Sequence, residues 1–443
     1  MKQNRLPFLF IECALIALLI GLFFGVVGGL QYVLPEFLKD SLGFNKTRPL
    51  HVTLVITWIF TAAIGGIYYY LPRISGRKIF SLFLMELHFF SLLVTGTAIL
   101  ICYFLGKFGG REYLEFPPIL ALPMLFTWIL FALNFFLTIS KNVKEWPIYL
   151  WMWTTGICFF AFTFGESYLW KIAFFRDNIV RDVTIQWKAN GSMVGAWNML
   201  IYGTAFYVME QISGNKKIAK SPLTFFFYFL GLTNLMFNWG HHTYIVPSAP
   251  WIKNMAYLIS MTELLILGNI IRNWRKSLNE SLINLHLIPY RFLLAADVWI
   301  FLNLALAILI SIPAVNFYTH GTHITVAHAM GTTIGINTMI LLASVFYILS
   351  KEDKNYISAH KEQIKTGFWI SNISLVVFWI ALLAAGMSKA MQMQPGKSAN
   401  FIAVMNGLQP VFELFTLAGI SLLIGLAIIV YPAAKKMLDT KAK

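Results

Sequence analysis

The sequence predicts an all-α integral membrane protein, folded as a bundle of twelve transmembrane helices. Of its 443 residues, 58% are hydrophobic and only 12% are charged, and the mean hydropathy is +0.69. So few charges could not cover the surface of a soluble domain, and we therefore expect the lipid bilayer to be the solvent. Apolar segments of about 20 residues, the length that a spanning helix needs, recur along the chain.

The apolar segments leave no room for a second domain, and we interpret residues 1–443 as one integral-membrane domain. The twelve predicted spans lie near residues 8–34, 50–72, 80–106, 117–139, 147–168, 187–212, 222–246, 251–272, 289–313, 322–349, 367–387 and 409–433. The first span contains Glu12 and lacks a small-residue cleavage site. We therefore expect a retained helix rather than a cleaved signal peptide.

The formal net charge of +15 reports the orientation of the chain rather than a nucleic-acid partner. With both termini in the cytoplasm, the inner segments carry 22 of the 34 Lys and Arg residues, and the outer segments carry the remainder. This asymmetry is what the positive-inside rule predicts. We expect no interaction with nucleic acid.

The cysteines give no sign of a disulfide or of a covalently bound cofactor. Cys13, Cys102 and Cys158 all fall inside predicted spans without paired spacing, which is typical of inert core residues. The chain has no Cys-x-x-Cys-His motif, so we expect no covalently attached c-type heme.

Polar side chains that are rare inside membranes come to one depth, near the outer ends of four predicted spans. Such groups are costly in lipid and mostly mark cofactors or transport paths. Each has a simpler explanation when taken alone, since a single membrane histidine often serves packing and 17 methionines are scattered through the chain. The combination favours a redox site, and its members are His51, Asn190, His241, His242, His328 and Met330.

The spacing of His328 and Met330 indicates two hemes. Positions i and i+2 of an α-helix point about 200° apart. Two axial ligands so placed can hold different hemes, one on either side of the helix. With His51 on another span and the pair His241-His242 on a third, the residues predict a site with two hemes and one non-heme metal.

Five motifs resemble the catalytic subunit of bacterial nitric oxide reductases, which belong to the heme-copper oxidase superfamily. The similarity extends over nearly all of the twelve spans and is closest to the short form that works with a separate cytochrome c subunit. The long N-terminal extension of the quinol-oxidising form is absent. The motifs are Arg48-x-x-His51 with Trp58, residues 109–117 (GGREYLEFP), Gly240-His241-His242, Ser260-x-x-Glu263 and residues 318–323 (YTHGTH).

The resemblance implies a role for each matching residue. His51 matches an axial ligand of the low-spin heme b, with Arg48 as a cofactor-binding residue of the same motif, and His328 matches the proximal ligand of the high-spin heme b. His241 and His242 match ligands of the non-heme metal, which is usually iron. Glu263 matches an acidic residue that assists proton delivery, and Glu112 matches a calcium-binding glutamate beside Glu115. The alternative for Glu112 is an ion pair with Arg111 in a solvated loop.

The sequence departs from the family at three positions. Met330 stands where the second low-spin heme ligand is usually histidine, and Met/His ligation raises the reduction potential of a heme. Asn190 aligns with a histidine that binds the non-heme metal, and Val194 aligns with the glutamate that completes its site. The metal would then be held by His241, His242 and either the Asn190 amide oxygen or water. Copper therefore becomes an alternative to iron, because imidazole suits both metals.

The resemblance implies reduction of two NO molecules to N2O and water, with electrons from a membrane-anchored cytochrome c subunit, in a bacterial inner membrane. One alternative is NO dismutation to N2 and O2, and another is a non-enzymatic heme protein that binds NO or transfers electrons. The sixth span carries no His-Pro-Glu-x-Tyr pattern, which disfavours an ordinary oxygen reductase.

Overall fold

A computed structural model describes residues 2–139, 145–261, 263–392 and 400–439, and the side chains of 5–139, 145–261, 267–392 and 400–438. Within these ranges the secondary structure is helical apart from one isolated bridge, Arg111 with Leu114. The prediction of an all-α protein is confirmed for the part of the chain described.

Thirteen longer helices form the bundle. They are α1 (Lys2–Val33), α2 (Phe44–Ser75), α3 (Leu82–Phe104), α4 (Ala121–Ile139), α5 (Ile148–Glu166), α6 (Ile179–Ser213), α7 (Pro222–Phe237), α8 (Pro250–Ser260), α9 (Glu263–Lys276), α10 (Leu287–Ser311), α11 (His323–Glu352), α12 (Lys361–Gln392) and α13 (Gln409–Asp439). Short helices lie at Lys39–Leu42, Ala173–Arg176, Glu280–Leu285, Pro313–Thr319, Lys354–Ala359 and Phe401–Gly407, and 3-10 turns lie at Pro118–Leu120, Leu169–Lys171, Ile218–Lys220 and Asn238–Thr243.

Nine of the twelve predicted spans coincide with helices that are long and apolar enough to cross a membrane, counted within the described ranges. The predicted span 187–212 lies within α6, which is long but less apolar. The predicted span 222–246 is wrong as a single α-helix, since α7 ends at Phe237 and a 3-10 turn follows. The span 251–272 is likewise divided, between α8 and α9.

Local sequence signals explain several helix ends. α7 begins after Ser221, whose hydroxyl caps the amide of Thr224, and Pro222 takes the first helical position. α11 begins after Thr322, whose hydroxyl accepts from the Ile324 amide. α2 ends at Ser75 and is followed by Gly76, whose φ of 67° is the left-handed conformation that favours glycine.

Helix α11 lies at the centre of the bundle. In its most apolar stretch 89% of the residues are buried, compared with 28% in α3. The outward side of α3 exposes Phe83, Phe90 and Val94, which is the surface expected to face lipid. The centre of α11 winds as a π-helix from Gly331 to Thr338, immediately after the predicted ligands His328 and Met330. Such segments are rare and often accompany functional sites.

Candidate functional site

One cavity of about 340 Å³ opens between α1, α2, α6, α7, α10 and α11. Its wall brings together five of the side chains that the sequence predicted as metal or heme ligands, and these are His51, His241, His242, His328 and Met330. They come from α2, the 3-10 turn after α7, and α11. The expected convergence is therefore present for these five residues, whereas Asn190, the sixth member of the predicted set, is not among the residues that line the cavity.

His51 is held against helix α1. Its Nδ1 lies 2.7 Å from the carbonyl oxygen of Gly21. A carbonyl only accepts, so Nδ1 carries the proton and Nε2 keeps a free lone pair. The His51 ring can lie this close to α1 because Gly25, one turn after Gly21, has no side chain. A Cβ at Gly25 would lie 2.9 Å from His51 Nδ1 and Cε1. This arrangement suits an axial ligand.

His328 and Met330 lie on the last turn of α11 before its π-helical segment. His328 Nδ1 has no hydrogen-bond partner among the described residues. Next to the pair, Asn303 of α10 donates to the Thr332 hydroxyl at 2.7 Å. Asn303 packs so tightly against α11 that a Cβ at Gly331 would lie 2.4 Å from its Oδ1.

His241 and His242 lie in the 3-10 turn that follows α7, and their Nε2 atoms are 3.0 Å apart. Two imidazole nitrogens bound at about 2.1 Å to one metal, at a right angle, would be about 3.0 Å apart. The spacing is compatible with two ligands of one ion, and without a metal it is the distance of an N–H···N hydrogen bond. Among the described side chains, no group of three His, Cys, Asp or Glu residues is placed to hold a metal together.

Three neighbours of this pair were not predicted as part of its site: Asn238 and Trp187 were not singled out, and His320 was noted only within the motif at residues 318–323. Asn238 Oδ1 lies 3.0 Å from His241 Nδ1, and His320 Nε2 lies 3.2 Å from His242 Nδ1. Trp187 of α6 stacks on the His242 ring, with centroids 4.4 Å apart and planes 6° from parallel. The spacing Asn238 to His241 was a usable signal, because residues i and i+3 eclipse in a 3-10 turn.

Helix α6 contributes an amide, Asn190, and an apolar side chain, Val194, which the sequence resemblance places at two ligand positions of the non-heme metal. Asn190 is buried, and neither its Oδ1 nor its Nδ2 has a hydrogen-bond partner in the described part of the chain. A buried amide without partners is costly and calls for a ligand or water. Val194 and Gly191 line the cavity, so this wall of α6 is open to it.

The loop that carries Glu112 folds back onto α2. Amides of Gly109 and Gly110 both donate to the Glu115 carbonyl, at 3.1 and 3.2 Å. A Cβ at Gly110 would lie 1.7 Å from the Leu114 oxygen, so only glycine fits there. The turn directs Glu112 and Glu115 at the same guanidinium, that of Arg48.

Arg48 pairs with Glu112 at 2.6 Å and with Glu115 at 3.0 Å. The alternative that Glu112 pairs with Arg111 is wrong, because Arg111 lies 2.8 Å from Asp182. Burial raises the pKa of the Glu115 carboxyl, an effect that Arg48 opposes. Two carboxylates share one cation, so the cluster keeps an excess negative charge beside the N-terminal end of α2.

Glu263 is the first residue of α9, and its side chain lies outside the described residues.

Comparison with known proteins identifies the family of this chain. The family described as cytochrome c and quinol oxidase polypeptide I matches residues 5–421. The chain belongs to this family. It is therefore a multi-pass membrane oxidoreductase of the heme-copper oxidase superfamily, a family whose members carry hemes and a further metal.

Individual relatives within the superfamily differ in activity. A nitric oxide reductase chain of Stutzerimonas stutzeri is 25% identical, over 94% of this chain and 92% of its own length. A cbb3-type cytochrome c oxidase chain of the same organism is 20% identical, over 93% and 90%. A solved heme-copper terminal oxidase dimer matches with a TM-score of 0.73 at 13% identity, over 98% of this chain and 84% of that one. The last likeness shows the fold.

Proposed function

We propose that this chain is the catalytic subunit of a nitric oxide reductase. The reaction joins two NO molecules with two electrons and two protons to give N2O and one water. The observation that carries the proposal is the facing pair His241 and His242, which shares one cavity with His328. The identity to the nitric oxide reductase chain of Stutzerimonas stutzeri, over nearly the full length of both chains, supports it.

Three groups would be held by residues of this cavity. His51 and Met330 would bind a low-spin heme b, and His328 would bind a high-spin heme b. His241 and His242 would bind a non-heme metal, iron or copper, with the Asn190 amide oxygen beside it. The donor set fits these groups, since His51 keeps a free Nε2 and Asn190 has unpartnered amide atoms. When bound, the metals supply electrons and two positions for NO.

The protein's own contribution would be placement and exclusion of water. Apolar residues such as Val194, Leu235 and Ile308 line the same cavity and would keep bound NO dry. Holding two reactants side by side removes much of the entropy cost of their encounter. Glu263 would assist proton delivery from the outer side.

Electrons would come from a partner on the outer face. We propose a membrane-anchored cytochrome c subunit as the donor and a bacterial inner membrane as the location, with both termini cytoplasmic. The cluster of Arg48, Glu112 and Glu115 lies one turn from His51 and would form the contact. Calcium, which prefers oxygen ligands, would bind at Glu112.

Dismutation of NO to N2 and O2 is the second candidate. It needs no net electrons from a donor. Two observations favour it, namely that Val194 lines the cavity where relatives have a carboxylate and that Asn190 replaces an imidazole. Without an anionic ligand, the metal would have a higher reduction potential.

Gas analysis separates these functions. Purified protein receives 15N-labelled NO without oxygen, with and without a reduced cytochrome c, and the headspace is followed by mass spectrometry. We expect labelled N2O that requires the donor, and none from a His241→Ala/His242→Ala double variant that retains both hemes. Labelled N2 with O2 would instead establish dismutation. Absence of any product would leave a heme protein that binds NO or transfers electrons.

A further inference from the structure

Each imidazole of the facing pair has a hydrogen-bond partner on its far side. His241 Nδ1 meets Asn238 Oδ1 at 3.0 Å, and His242 Nδ1 meets His320 Nε2 at 3.2 Å. The two Nε2 atoms lie on the near side of the pair, 3.0 Å apart. The partners come from separate parts of the chain, because His320 follows the short helix Pro313–Thr319.

We propose that Asn238 and His320 fix His241 and His242 as their Nδ1–H tautomers and so direct both Nε2 lone pairs at one metal ion. The inference rests on the proposed metal site and assigns positioning residues to it. An amide oxygen only accepts, so contact with Asn238 Oδ1 requires a proton on His241 Nδ1. A neutral imidazole carries one proton, so its Nε2 is then free to ligate.

For His242 the contact with His320 allows two states, and the proposed ligation selects one of them. Either His242 Nδ1–H donates to His320 Nε2, or His320 Nε2–H donates to His242 Nδ1. The second arrangement protonates His242 Nε2 and prevents ligation. The first leaves a lone pair on His242 Nε2 and places the proton of His320 on its Nδ1.

Neighbouring groups hold these partners in position. The Ser260 hydroxyl lies 2.6 Å from Asn238 Oδ1 and thereby ties α8 to the turn. The His320 amide donates to the Asn316 carbonyl at 2.9 Å, which ends the short helix. Trp187 stacks on His242 and meets His320 edge-on, with centroids 5.7 Å apart. The imidazoles therefore have little freedom to rotate.

This support matters more here than in a site with three imidazoles. Helix α6 offers an amide, Asn190, in place of a third histidine, so metal affinity depends mainly on His241 and His242. Loss of an outer hydrogen-bond partner typically weakens metal binding about 10- to 100-fold.

Metal affinity of the whole protein tests the proposal. Metal-depleted protein that retains both hemes is titrated with Co2+ in competition with a chromophoric chelator, and the Co2+ absorption bands are recorded. We expect Asn238→Leu and His320→Leu each to weaken binding by about 10- to 100-fold. Asn238→Asp and His320→Gln keep an acceptor oxygen, and we expect both to bind close to wild type with unchanged band positions.

The control is Asn234→Leu, which removes an amide from the same cavity wall one turn earlier on α7. Unchanged heme spectra verify that each variant is folded. Wild-type affinity in both leucine variants would overturn the proposal, as would an Asn238→Asp variant as weak as Asn238→Leu. Altered Co2+ bands in His320→Gln would make His320 a ligand and also overturn it. Failure of wild type to bind Co2+ at all would instead defeat the proposed metal site.

Discussion

At the scale of single residues, Met330, at the position where the family resemblance implies a histidine ligand, would have the clearest electronic consequence. Met330 lies in the cavity wall two residues after His328, at the end of a regular helical segment. A thioether is a weaker donor than imidazole, and Met/His ligation raises the reduction potential of a heme. The protein would accept electrons more readily than relatives with two histidines.

We expect Met330→Leu to convert the low-spin heme to a high-spin form, because leucine cannot ligate iron. Met330→His should keep it low-spin and lower its reduction potential. Redox titration followed by absorption spectroscopy measures both effects. Met199→Leu is the control, since Met199 lines the same cavity without a predicted role as ligand. An unchanged spectrum and potential in both Met330 variants would remove this residue from the ligand set.

At the scale of elements, the close packing of α1 on α2 orients His51. Gly25 leaves the space into which the His51 ring fits, and the Gly21 carbonyl accepts from its Nδ1 at 2.7 Å. The contact between two helices thus fixes which nitrogen faces the cavity. The 3-10 turn after α7 is a second element that orients ligands, because it brings His241 and His242 to face each other.

We expect Gly25→Ala to displace the His51 ring, because the new Cβ would lie 2.9 Å from Nδ1 and Cε1. Overpacking of this kind costs about 1–3 kcal/mol and would disturb the bond to Gly21. The low-spin electron paramagnetic resonance signal should shift, and thermal stability should fall. Gly96→Ala on α3 is the matched control, since a Cβ there meets nothing within 4 Å. Identical spectra in both variants would argue against Gly25 as the residue that shapes this ligand.

At the scale of the whole molecule, the N-terminal end of α2 carries the region where, in the proposed function, electrons would arrive. The turn at residues 109–117 docks onto α2, where Arg48 holds Glu112 and Glu115 together. Burial raises the pKa of Tyr113, between these two glutamates, to about 12, with Glu112 adding to the effect. The loop therefore keeps Tyr113 neutral at physiological pH, while the cluster beside it keeps an excess negative charge.

We expect Glu112→Gln, or calcium chelation, to slow electron transfer from reduced cytochrome c to the low-spin heme by about tenfold or more, within the range of electrostatic steering. Carbon monoxide binding to the reduced high-spin heme should be unchanged, because the predicted ligand of that heme is His328 rather than His51. Stopped-flow spectroscopy follows both reactions. Glu36→Gln, which alters an exposed glutamate paired with Lys39 at 2.8 Å, is the control. Undiminished transfer in Glu112→Gln would defeat the calcium assignment and this docking site.

The sequence alone determined the residue types at the site and most of the apolar spans, because hydropathy and ligand chemistry are properties of short stretches of chain. It located His51, His241, His242, His328 and Met330, and all five line one cavity. It missed the break in the helix at Asn238, since the segment 222–246 is mainly apolar and long enough for a single span, and the i, i+3 spacing of Asn238 and His241 was not read as a 3-10 turn.

Only the tertiary structure decided which groups face one another. His242 and His320 are 78 positions apart, and Arg48 and Glu112 are 64 apart, yet each pair lies within hydrogen-bond distance. Such pairs depend on how separate helices pack. A sequence pattern with a period of a few residues carries no information on contacts between residues so far apart in the chain. The protonation state of each imidazole follows from these distant partners. For this reason the ligands could be predicted from the sequence, and their orientation could not.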